Sequence, residues 1–110
     1  MLTKELVAAS TEALILSLLS KGDSYGYALI QEIKRLSQDQ IEWTDGMLYP
    51  VLHRMERDGW IESRWDEADT GRKRKYYSLK KDGKRALKEQ REQWTTVSGV
   101  LKQLWKEEYV

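Results

Sequence analysis

Apolar residues recur every three or four positions along most of the chain and every second position in two short stretches, and this change of period marks its elements. Between residues 4 and 20, Leu6, Leu14 and Leu18 fall on one stripe with Ile15 and Leu19 beside it, which predicts a first helix. Its apolar arc widens towards the C-terminal half, so two sides should be covered. Gly22 suits a left-handed cap. Ser24, whose hydroxyl can accept from a first-turn amide, is the expected start of a second helix with Leu29, Ile33 and Leu36 on its inner face. Residues 37–42 are polar and loop-like. Thr44 is the next cap candidate, with Asp45 in the first turn where the helix dipole favours an anion. Leu48, Leu52 and Met55 form the inner stripe of a third helix that Asp58 and Gly59 close. Pro50 has no amide donor and crowds the carbonyl of Gly46. So near the helix start, it should adjust the first turn without breaking the helix.

After Gly59 the period becomes 2. Trp60 to Trp65 alternates, with Ile61 and Trp65 on one face. Asp66 to Gly71 is turn-prone, and Arg74 to Lys80 alternates again, with Tyr77 and Leu79 as core contributors. Two strands about a glycine-containing loop make a hairpin. From Lys81 to about Glu108 the helical period returns. Leu87, Trp94 and Leu101 are spaced by seven, Val97 and Leu104 lie between them at the same spacing, and Gln90 is a polar member of the seam. A hairpin and three short helices cannot cover such a seam. It asks for a partner helix, most simply the same helix of a second chain. Val7, Ala8 and Ile15 form a second apolar face on the first helix, expected to meet the partner's copy of that C-terminal helix around Trp105. Trp60 and Trp65 are expected to pack. There is no internal repeat and no low-complexity linker.

The chain of 110 residues and 13.0 kDa suits one compact unit. With 40% hydrophobic and 34% charged residues it is too apolar for a disordered tail and too polar for a membrane protein. The longest apolar run, Ala13 to Leu19, is broken by Ser17 and falls short of the roughly 20 residues of a bilayer span. The N-terminus lacks the basic-then-apolar order of a secretory signal, so a cytoplasmic protein is expected. With no cysteine and one histidine, His53, there are no parts for a disulfide framework, a thiolate metal site or a Ser-His or Cys-His couple. No cofactor, metal or enzymatic constellation is implied. The net charge of +1 hides a segregation: residues 1–71 are net acidic, while residues 72–91 hold 10 basic and 2 acidic side chains. That window is either a solvated face or a footprint for a polyanion.

Three helices followed by a two-stranded hairpin is the layout of a winged helix-turn-helix. The expected fold is therefore mainly α with a small β-hairpin: a DNA-binding unit over residues 1–80 and a dimerisation helix over 81–110. In this layout the third helix enters the major groove and the hairpin tip, the wing, lies along the backbone or minor groove. Arg72, Lys73, Arg74 and Lys75 follow the turn and are candidates for phosphate and groove contacts, although alternate members of a strand point apart. Thr44, Met47, Tyr49, Pro50, His53 and Arg54 are assigned to the outer face of the third helix. Tyr49 and His53 lie one turn apart, and Arg54 can read a guanine edge or pair with a phosphate. Tyr27 is expected outward as a phosphate donor at a helix N-terminus, with Tyr25 turned inward. The competing reading is a winged-helix module that binds protein, which would show no salt-dependent association with duplex DNA.

The stretches SYGYALIQEIKRL, DGMLYPVLHRMERDGWIES and GRKRKYYSLKKDGKRAL follow one another over roughly residues 12–90. Together they resemble the PadR family of bacterial transcriptional regulators, and the single C-terminal helix resembles its compact branch, which includes multidrug-sensing repressors. The resemblance implies a homodimer on double-stranded DNA. In that branch a tryptophan of the C-terminal helix faces its dimer mate and sandwiches flat aromatic ligands. The segment REQWTTVSGVLKQL resembles that region, which implies Trp94 for the role. Val97, Ser98, Leu101, Leu104 and Trp105, together with Val7 and Ile15, then frame a ligand site or dimer interface. Trp94 is either an aromatic plate for a planar ligand or a knob in the seam. Small Ser98 and Gly99 leave room beside it, although a mid-helix glycine costs roughly 1 kcal/mol against alanine. Two positions depart from the family: Lys80 stands where a Thr or Ser usually caps the last helix, and Met47 replaces a more usual Thr. The expected function is a dimeric repressor of a palindromic operator, released by a small planar hydrophobic ligand.

Overall fold

The computed structural model describes residues 1–108, in the order α1 (Lys4–Ser20), β1 (Ser24–Tyr25), α2 (Gly26–Leu36), α3 (Asp45–Arg57), β2 (Ile61–Glu67), β3 (Lys73–Leu79) and α4 (Lys81–Glu108). Hydroxyl caps start two of the helices. Thr3 Oγ1 accepts the Leu6 amide and Thr44 Oγ1 accepts the Met47 amide, each at 3.2 Å. α3 runs unbroken through Pro50, and its first turn is tightened, because the Thr44 carbonyl accepts from both Met47 and Leu48. Its end is a left-handed stop. Gly59 adopts φ +79°, its amide bonds the Glu56 carbonyl, and the Trp60 amide reaches back to the Met55 carbonyl at 3.0 Å.

The core gathers Ile15, Leu16, Leu29, Leu48, Leu52, Met55, Ile61 and Tyr77, all buried. In α1 the buried line is Val7, Thr11, Ile15 and Leu19, one residue round from the predicted stripe; Leu14 and Leu18 are only half-buried and Leu6 is exposed. Thr11 makes this rotation possible by returning its hydroxyl to the Val7 carbonyl, so that a polar residue is buried with its donor satisfied. Hydropathy counting could not include it. Val7 and Ile15, expected to await a partner, are therefore core residues of the protomer itself, 7% and 0% exposed.

The expected two-stranded hairpin is a three-stranded antiparallel sheet of order β1-β3-β2. Ser24 pairs with Tyr77 and Tyr25 with Tyr76, so Ser24 is a strand residue and does not cap a helix. α2 begins at Gly26 after Tyr25, with no side-chain cap. Two residues are too few for a period, and the open edge of β3 captures them with backbone hydrogen bonds. β2 carries Ile61 into the core but runs past the body of the protein, so Trp65 on the same face is exposed and does not pack.

α4 starts without a hydroxyl at Lys80. The Lys80 amide instead bonds the Trp60 carbonyl at 2.9 Å, and buried Gly83 lets the first turn lie directly on that carbonyl. Among the residues of this helix whose burial is described, only Gly83, Ala86 and Leu87 are buried. The rest of a helix about 42 Å long projects from the body and draws the protomer out to 59 × 29 × 22 Å. Val97, Val100, Leu101, Leu104 and Trp105 are exposed along it.

Candidate nucleic-acid interface

β2 and β3 extend beyond the last register pair of the core, Ser63 with Tyr77, as a twisted two-stranded wing. Directly opposed residues share a face and neighbours along a strand alternate. The pairs Trp65–Lys75 and Glu67–Lys73 therefore occupy one face, while Arg64–Tyr76 and Asp66–Arg74 occupy the other. Lys73 and Lys75 thus share a face and Arg74 takes the other, while exposure falls off along the strand: Arg72 and Lys73 are exposed, Arg74 and Lys75 half-buried. Of the ten cations in the basic window, the other six lie from Lys80 to Arg91, at the opposite end of β3 and along α4.

Arg74 is committed to the protein. Its guanidinium donates to Tyr25 Oη at 2.7 Å and lies 4.4 Å from the Tyr25 ring centre. Tyr25 meets Tyr76 edge-on at 5.3 Å, and Arg64, 5.5 Å over Tyr76, donates to Asp23 and to Ser78. This ladder of rings and guanidinium groups braces the wing against the strand that leads into α2. At the base of the wing, Ser63 donates to the half-buried carboxylate of Glu56 and so joins β2 to α3.

On α3, Met47, Pro50, His53 and Arg54 are exposed, as is the cap Thr44. Tyr49 lies half-buried against the core, with its phenol so close to Gly26 that a Cβ there would sit 2.2 Å from Tyr49 Oη. It turns towards the start of α2 instead of straight outward, and the His53 ring lies 6.3 Å from it. Arg54 leans back on α1, 3.3 Å from Glu12. Tyr27 is 65% exposed. Between the wing and the starts of α2 and α3 opens a cleft of about 510 Å³, lined by Tyr25, Gly26, Tyr27, Tyr49, Trp65 and the four residues Arg72 to Lys75. Tyr27, Tyr49 and the wing cations, assigned from sequence to separate elements, thus face one hollow. Thr44, Met47, Pro50, His53 and Arg54 do not line it.

Sequence reasoning missed Trp65, Tyr25 and Gly26 in this cleft. Trp65 had a readable signal, because a strand whose alternation outlasts the body must expose its last aromatic. Tyr25 had none, since its role depends on a pairing between residues far apart in the chain. Among the described residues, no group of His, Cys, Asp and Glu is placed to hold a metal, and no helix is long and apolar enough to cross a membrane.

Trp94 lies away from this cleft. It is 38% exposed and, with Ala9, Glu12, Gln90, Gln93 and Val97, lines a shallow groove of about 440 Å³ between α1 and α4. Ser98 is half-buried, whereas Leu101, Leu104 and Trp105 continue the exposed apolar line beyond the groove.

The sequence model of the PadR-like transcriptional regulator family matches residues 15–89. An uncharacterized protein of Lysinibacillus sphaericus is 30% identical over 101 residues, covering 92% of this chain and 93% of that protein. The transcriptional regulator YqjI of Escherichia coli is 35% identical over 88 residues, 80% of this chain but 41% of that protein. Among solved structures, a PadR-like transcriptional regulator from Bacillus cereus superposes with a TM-score of 0.83 at 28% identity over 93% of this chain and 97% of its own. A transcriptional regulator from Clostridium thermocellum superposes with 0.81 at 28% identity over 91% and 97%. The family match runs from the core of α1 through the wing into α4, and the chain belongs to the PadR-like family of transcriptional regulators.

Proposed function

We propose that this protein is a dimeric transcriptional repressor that binds a palindromic operator through α3 and the wing and is released by a small planar hydrophobic ligand. Regulators of this family bind DNA and act as dimers. One observation carries the DNA reading: the exposed wing cations and the tyrosines at the start of α2 and in α3 border a single open cleft beside the outer face of α3. A duplex backbone threaded there would meet Arg72 and Lys73 as phosphate partners and leave Met47, Pro50, His53 and Arg54 towards the base edges. Arg54 must exchange Glu12 for DNA, a small penalty, because both partners are substantially solvated.

The exposed apolar line of α4 supports a dimer through this helix, with Trp94, Val97, Leu101, Leu104 and Trp105 in its seam. Residues 1–80 then form the DNA-binding unit and α4 the dimerisation helix, whose first two turns also complete the core; the last two residues of the expected 81–110 span lie outside the described residues. Two copies present two recognition helices at a fixed separation, which calls for half-sites related by a dyad. A flat ligand held between Trp94 and its dimer mate would favour one spacing of the helices over another. DNA must then weaken ligand binding by the same factor as the ligand weakens DNA binding. The reading also assigns the protein to the cytoplasm, with the DNA it regulates.

The test is a gel-shift and sedimentation series on the DNA upstream of its own gene, with and without planar aromatic compounds. The expected result is one dimer per dyad, affinity that falls steeply with salt, and loss of that affinity on Arg72→Ala with Lys73→Ala. Salt-independent association, or none, would favour the protein-binding alternative.

A further inference from the structure

Trp65 is an exposed aromatic without a task inside the protomer. It is 69% exposed, on the wing, in a strand whose core contribution ends before it. Solvating an indole is unfavourable, and scattered apolar side chains on a surface need no explanation, but this one is not scattered. It lines the cleft together with Tyr27 and Tyr49, directly across the strand pair from Lys75 and on the same face as Lys73. Arg74 also borders the cleft, but it stands on the opposite face of the strand pair and is held by Tyr25. The cleft therefore has Lys73 and Lys75 on the same strand face as the Trp65 ring, with the phenols of Tyr27 and Tyr49 also lining it.

We propose that Trp65 is a direct DNA-contacting residue, which lays its indole against the deoxyribose of the strand whose phosphates Lys73 and Lys75 hold. The inference rests on the DNA reading and names a contact within it. Charge complementarity selects the occupant: a cationic cleft of this size fits a polyanionic backbone, and the ring supplies the apolar surface that sugars and base faces accept. Lys75 is tethered near the Tyr77 ring, with its ammonium 5.7 Å from the ring centre, so the phosphate track runs close to the base of the wing, where Trp65 stands.

A non-ionic contact and an ionic one separate by salt dependence. Binding of the full chain to a mixed-sequence duplex is measured across a salt series for the wild type, Trp65→Ala, Trp65→Phe and Lys73→Ala. Trp65→Ala is expected to lose about tenfold in affinity at every salt concentration with an unchanged slope, because no counterion is involved. Trp65→Phe should recover most of that loss. Lys73→Ala should flatten the slope by about 0.9 for each protomer bound. Thermal unfolding and sedimentation of Trp65→Ala should match the wild type, since the ring is mostly in water. Equal affinity of Trp65→Ala and wild type, a change of slope in place of a parallel offset, or a shift in the dimer equilibrium would each overturn the assignment while leaving DNA binding intact. Absence of any wild-type binding would sink the DNA reading itself, and the assignment with it.

Discussion

Gly83→Ala sets two rules against each other, and the structure decides the sign. Gly83 stands in the first turn of a long helix, where alanine is favoured by about 1 kcal/mol on propensity alone. A Cβ at this position, however, would stand 2.0 Å from the Trp60 carbonyl oxygen, 3.0 Å from its carbon and 2.8 Å from Leu79 Cδ2. The first two obstacles are backbone and cannot rotate away. To make room, α4 must lift, which stretches the 2.9 Å bond from the Lys80 amide to the same Trp60 carbonyl and loosens Ala86 and Leu87 behind it. Overpacking of this kind costs about 1–3 kcal/mol, and a weakened hydrogen bond about 1 more. Set against the propensity gain, the net effect is a loss of roughly 1–3 kcal/mol. For a chain of this size that lowers Tm by roughly 5–20 °C. Thermal unfolding followed by circular dichroism at fixed protein concentration checks it, together with urea titration to confirm that m is unchanged. A Tm equal to or above that of the wild type would refute the docking argument and leave helix propensity as the governing effect.

Tyr77→Phe should stabilise the protein by about 1 kcal/mol, because the Tyr77 hydroxyl is buried with no protein partner; a lower Tm would mean that the hydroxyl is satisfied after all. Burial, and then the charges of Glu56 and Tyr49, push the Tyr77 phenol up to about 12 from the ordinary 10. The folded state therefore keeps a proton that the unfolded chain gives up. Its contribution is complete below pH 10 and is lost as pH climbs through 12, so wild-type stability should fall over that window with a steeper slope than that of Tyr77→Phe. Arg74→Ala should lower Tm by a few degrees by freeing Tyr25 from the wing, whereas Lys73→Ala should leave Tm unchanged; equal effects would contradict the division of the two faces. Leu101→Asp, which puts a charge on the exposed line of α4, should raise the dimer dissociation constant at least about a hundredfold in sedimentation, with the DNA-binding unit still folded.

The spacing of Leu48, Leu52 and Met55, the hydroxyl at Thr44 and the glycine at 59 fixed α3 before any contact was known, because a helix is specified by neighbours within two turns. The same holds for the wing, where alternation and a glycine-containing turn are local, and for the apolar heptad spacing of α4. Charge segregation and three ordered motifs were enough to reach the family. Tertiary structure alone decided what depends on residues far apart in the chain. It added β1, whose two residues have no period and exist as a strand only through β3. It rotated the inner face of α1 onto Val7, Thr11 and Ile15, since a threonine counts as polar until its hydroxyl finds a carbonyl. It withdrew Arg74 from the wing cations by giving it Tyr25, and it put Trp65 in solvent beside Lys75. The strand β1 and the Arg74–Tyr25 bond are pairings over long separation, and the buried face of α1 turns on a threonine whose hydroxyl is satisfied one turn back; hydropathy encodes neither, and packing settles both.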